Sequence, residues 1–79
     1  MGFDEMMQFL FDRWGYIEVG RFRGDAKWFC RNKTDEGIGG IGPERCFEGE
    51  TPSQAVENAY WFEEPLALTP KDGDSGEGR

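Results

Sequence analysis

Seventy-nine residues carrying a net charge of −7 and 15% aromatic content describe one small acidic domain. A domain of this size buries only about 60% of the surface its unfolded chain exposes, which leaves little core for a walled catalytic cavity. The chain has no histidine, so no Ser/His or Cys/His couple forms, and Cys30 and Cys46 cannot by themselves complete a tetrahedral zinc site. An enzyme is not expected, nor is a cofactor or a metal.

Apolar side chains at Phe3, Met6, Met7, Leu10, Phe11 and Trp14 follow the helical period. Asp4 and Glu5 suit the positive end of the helix dipole, and Gly15 suits a left-handed stop. Two segments rich in aromatic and β-branched residues come next, Tyr16–Phe22 and Ala26–Arg31. With Gly24-Asp25 as the central residues of a type II′ turn, Val19 pairs with Cys30, Arg21 with Trp28 and Glu18 with Arg31. One face then carries Ile17, Val19, Ala26, Trp28 and Cys30, and the other holds the Glu18–Arg31 charge pair.

Residues 32–44 are rich in glycine and read as a flexible loop that orders on a partner. Gly37-Ile38-Gly39-Gly40-Ile41-Gly42 has the spacing G-x-G-x-x-G. It runs into Pro43 and a strand instead of a helix, and the flanking carboxylates Asp35, Glu36 and Glu44 oppose phosphate binding. Arg23-Gly24-Asp25 is turn chemistry. A short third strand, Arg45–Glu48, leads to a second helix with Thr51 as N-cap, Pro52 at N1 and Gln54 at N3. Ala55, Val56, Ala59, Tyr60 and either Phe62 or Glu63 form its inward side, and Pro65 ends it. The fold class expected is α+β, a helix, a three-stranded antiparallel sheet and a helix (αβββα), over residues 1–68. Residues 69–79 have the composition of a disordered acidic tail.

Charge is unevenly placed. Residues 1–43 hold seven acids against six bases, whereas residues 44–79 hold nine acids against three bases. Glu48, Glu50, Glu57, Glu63 and Glu64 are expected to make one end and outer face negative, with Trp61 as an exposed aromatic anchor. Arg21, Arg23, Lys27, Arg31 and Lys33 interleave with Phe22 and Phe29, as in single-strand nucleic-acid platforms, but the overall charge opposes direct nucleic-acid binding. No run approaches the ~18 apolar residues of a membrane span. The acidic start Met1-Gly2-Phe3-Asp4-Glu5 lacks the basic character of a secretory signal, so the host cytoplasm is the expected compartment. The thiols are expected to be free there, and the chain a monomer or weak homodimer.

Helix, three strands and helix is also the order of double-stranded-RNA-binding domains, although Glu50-Thr51-Pro52-Ser53-Gln54 lacks their basic helix start. The stretch Phe47-Glu48-Gly49-Glu50-Thr51-Pro52-Ser53-Gln54-Ala55-Val56-Glu57-Asn58-Ala59-Tyr60 resembles the strand-into-helix passage, G-x-T-P-x-x-A-x-x-x-A, of phage ABA-sandwich-type proteins. It is also similar to antitoxins with a truncated RNase H-like fold, without the DNA-binding segment those carry after the helix. In size, acidity and aromatic content the chain resembles anti-CRISPR proteins. That resemblance implies a phage-borne inhibitor that mimics DNA and blocks the basic nucleic-acid-binding surface of a host defence complex. An antitoxin-like or adaptor protein with a dedicated protein partner is the alternative.

Overall fold

The computed structural model describes residues 1–68; the tail expected at 69–79 lies outside them. The element order is α1 (Phe3–Trp14), β1 (Glu18–Gly20), β2 (Trp28–Arg31), β3 (Cys46–Gly49) and α2 (Pro52–Leu68), the expected αβββα arrangement. The sheet is antiparallel with order β1-β2-β3. The α2 helix lies across one face of the sheet, and α1 packs against α2.

The strand register agrees with the sequence reading: Glu18 faces Arg31, Val19 faces Cys30 and Gly20 faces Phe29. On the far side of β2, Cys30 faces Phe47 and Arg31 faces Cys46. Alternation sends Val19, Cys30 and Phe47 toward the helices, and Glu18, Phe29, Arg31, Cys46 and Glu48 to the open face. The turn itself is displaced by one residue. Asp25 N–H donates to the Phe22 carbonyl at 3.1 Å, which makes Arg23 and Gly24 the central pair. Gly24 has φ +91°, the left-handed value that the second central position of a type II turn requires. The ladder stops at Gly20 and Trp28, so Arg21 and Ala26 lie in the loop, and Ala26 is exposed.

The core joins Met6, Leu10 and Trp14 of α1 to Cys30 and to Ala55, Val56, Ala59 and Tyr60 of α2. The apolar stripe expected on α1 is divided. Phe9 turns inward, edge-on to Tyr60 at 5.1 Å, while Phe3 and Phe11 remain exposed. Packed mainly on α2, with Trp14 also stacked on Phe47 of the sheet, α1 covers a narrower arc than its apolar residues span. The start of α2 follows its signals: Gln54 N–H donates to Thr51 Oγ1 at 3.0 Å. Gln54 Oε1 reaches back one residue further than the usual capping box and accepts from Glu50 N–H. Pro65 does not end the helix, which runs on to Leu68. A proline lacks the N–H that would serve the Trp61 carbonyl, and Pro65 lies on the exposed side of the helix.

Residues 32–44 form a hydrogen-bonded loop rather than the flexible segment their composition suggests. Asn32, 1% exposed, is its staple. Its backbone N–H donates to the Arg45 carbonyl and its carbonyl accepts from Gly40. Its side chain accepts from Arg45 N–H at 2.8 Å and donates to the Pro43 carbonyl at 3.0 Å. Thr34 N–H donates to Ile38, Lys33 Nζ donates to the Gly40 carbonyl, and Ile41 N–H donates to the Trp14 carbonyl at the end of α1. Gly40 permits this closure, since a Cβ there would sit 2.6 Å from the Trp14 oxygen.

Candidate functional site

The outer stripe of α2 is the first place to look for function. Glu57, Trp61 and Glu64 stand at i, i+4 and i+7, neighbours along one side of a helix. Trp61 is 62% exposed, touching only Tyr60, edge-on at 5.0 Å, among the ring contacts of the described residues. Opposite it on the helix, Ala55, Val56, Ala59 and Tyr60 are buried, so the period itself pushes Trp61 into solvent. Neither Glu57 nor Glu64 makes an ion pair among the described residues, and Glu50 is likewise unpaired and exposed at the helix entrance.

Two of the carboxylates expected in this patch lie elsewhere. Glu48 is exposed but projects from the open face of the sheet, the side away from α2. Glu63 is buried at 2% exposure and belongs to the interior. Its Oε1 accepts from Arg13 Nε at 2.6 Å, and Arg45 Nε lies 3.0 Å from Oε2. The second approach is off the line of the N–H, so Oε2 accepts no hydrogen bond among the described residues and is held by charge alone. The Arg45 guanidinium also lies over the Phe62 ring at 4.8 Å. Glu63 is therefore the inward residue of its turn and offers no surface to a partner. The helical period offers Glu63 or Phe62 for the inward side, but nothing local marks its partner, because Arg13 is fifty residues away.

The open face of the sheet is a second candidate. Phe22 stacks on Phe29 at 5.1 Å, and the Arg31 guanidinium lies over both rings. Arg31 donates twice to Glu18, at 3.0 and 3.2 Å, and once to Asp35 at 2.8 Å. The Glu18 hydrogen bonds raise the Arg31 pKa further and fix its charge. Every nitrogen of that guanidinium is thus committed within the fold. Arg21, Arg23 and Lys27 are exposed near the hairpin tip. The thiols lie on adjacent strands but on opposite faces, both free. Burial, with a smaller contribution from Cys46, pushes the Cys30 thiol up to about 12.

Among the described residues no cluster of Cys, Asp and Glu could hold a metal ion. No helix there is long and apolar enough to cross a membrane. The chain matches no known protein family, no curated protein and no solved structure.

Proposed function

We propose that this protein is a non-catalytic inhibitor, anti-CRISPR-like in manner, that docks the outer stripe of α2 onto the basic nucleic-acid-binding surface of a host complex. The observation that carries the reading is Trp61, 62% exposed on a rigid helix and bracketed by the unpaired carboxylates Glu57 and Glu64. An exposed tryptophan on an ordered element supplies the large contact area typical of a binding hot spot. The flanking charges steer the encounter toward a cationic groove of the kind that holds a nucleic-acid duplex. Glu50 extends the negative surface toward the helix start. The −7 net charge opposes direct nucleic-acid binding, and Arg31 is already held by Glu18 and Asp35.

The test is displacement of a fluorescent DNA duplex from purified nucleic-acid-guided defence complexes as the protein is titrated in. The protein should release the duplex from its target complex. Trp61→Ala should weaken this by about 30-fold, the equivalent of a 2 kcal/mol hot spot. Glu57→Lys with Glu64→Lys should abolish it while the circular dichroism spectrum stays unchanged. Equal potency of the wild type and both variants would rule out this stripe as the contact.

A further inference from the structure

The end of α1, the glycine-rich loop and α2 enclose a half-open recess of about 260 Å³. Arg13, Arg45 and Glu63 supply its charged wall, and Trp14, Ile41 and Pro43 supply apolar surface. The volume lies below the range of drug-sized pockets, which limits an occupant to a small group. Two arginines against one carboxylate leave this wall with a residual charge of about +1 in an otherwise strongly acidic protein.

The donors are only partly used. Each arginine makes its closest approach to Glu63 through Nε, and only the Arg13 bond is an aligned hydrogen bond among the described residues, although the guanidinium fork ordinarily meets a carboxylate with two N–H groups. No Nη of either arginine has a hydrogen-bond partner among the described residues. Both side chains reach solvent, at 28% and 32% exposure. Arg13 is anchored by its short bond to Oε1, whereas Arg45 rests on Phe62 and on charge, without an aligned hydrogen bond. Arg45 is thus the donor free to turn toward an arriving anion. Ile41, 75% exposed on a loop that is otherwise closed by hydrogen bonds, stands at the rim as an apolar contact with nothing upon it among the described residues.

We infer that this recess binds a monocarboxylate carried on a small apolar group, its oxygens on the free Nη donors of Arg13 and Arg45 and its apolar body against Ile41 and Pro43. A single negative charge matches the residual charge of the wall; a phosphate dianion would meet Glu63 without enough compensation. A free organic acid and the carboxyl end of a peptide closing in an apolar residue present this same chemistry. The site is independent of the Trp61 stripe, because Glu63 faces inward where Trp61 faces out.

The experiment titrates isotope-labelled protein with hexanoate, with neutral hexanamide, and with a tripeptide ending in leucine as free acid or as amide. Amide signals of Ile41 and Gly42 and the Nε–H signals of Arg13 and Arg45 should shift and saturate with the acids. The amides should bind about tenfold or more weakly, the loss of one charge-assisted contact. Arg45→Gln should weaken hexanoate to the same degree, with a retained cooperative thermal transition and dispersed amide signals showing that the variant is folded. Tighter binding of the peptide acid than of hexanoate supports the site with a peptide end as source, and the reverse order supports it with a free acid. No saturable shift by about 10 mM, equal binding of acid and amide, or shifts at Arg21, Arg23 and Lys27 instead would overturn the assignment.

Discussion

A buried carboxylate between two half-exposed arginines makes an asymmetric prediction for mutation. Removing Glu63 leaves Arg13 and Arg45 able to hydrate, whereas removing both arginines strands a charge that is 2% exposed. Glu63→Met should therefore change stability by no more than about 1 kcal/mol. The double variant Arg13→Ala, Arg45→Ala should lose about 2–3 kcal/mol, a buried-pair value discounted because both guanidiniums reach water. Urea denaturation measures both, and equal losses would contradict this account of the triad. Cys30 makes a second prediction at this scale. Its folded thiol holds its proton up to about 12, against an ordinary value of 9.0. The unfolded thiol ionises first, so the stability that depends on the neutral form is present below 9.0 and is lost as pH climbs toward 12. The loss approaches about 1.4 kcal/mol per pH unit inside that window. Cys30→Ala should flatten this part of the profile of urea midpoint against pH.

At the scale of elements, the passage from β3 into α2 depends on Gly49. A Cβ there would lie 2.4 Å from the Ala55 nitrogen and 2.7 Å from the Gln54 carbonyl carbon, both backbone atoms that cannot swing aside. Gly49→Ala should destabilise the fold by about 1–3 kcal/mol, read as a lowered thermal midpoint; an unchanged midpoint would show that the helix slides at no cost. Elements governed by neighbours in sequence were legible from it. The β1–β2 register follows from alternation, and the Thr51–Gln54 cap follows from four consecutive letters. Features set by distant partners were not. Periodicity leaves Phe62 and Glu63 as alternatives for the inward side of α2 and does not show that Phe3 and Phe11 stay exposed, because α2 decides which arc of α1 is covered and which charges meet. Asn32 carries no local signal, although its partners at Pro43 and Arg45 order the whole glycine-rich loop. Of the candidate site, the helical period sufficed to place Glu57, Trp61 and Glu64. It could not reveal that Glu48 points to the other side of the molecule.

At the scale of the molecule, charge and packing divide the surface into separate regions. Among the described residues the α2 stripe carries unpaired acid, the open sheet face is neutralised by its own Arg31 network, and the exposed bases gather near the hairpin tip. If the stripe is the contact, its association rate with a cationic partner should fall steeply between about 50 and 300 mM salt, as screening shortens to well under 10 Å. Its dissociation rate, set by Trp61, should change little. Stopped-flow mixing separates the two rates, and an on-rate indifferent to salt would point to an apolar contact such as Phe3 and Phe11.

The bond from Ile41 to the Trp14 carbonyl ties the most glycine-dense stretch of the chain to the first helix. A protease searching for an easy cut would meet a knot there instead of a slack thread. Peeling the loop away exposes the end of α1 and the Trp14 ring with it, so this glycine-rich segment should open only when the whole domain does.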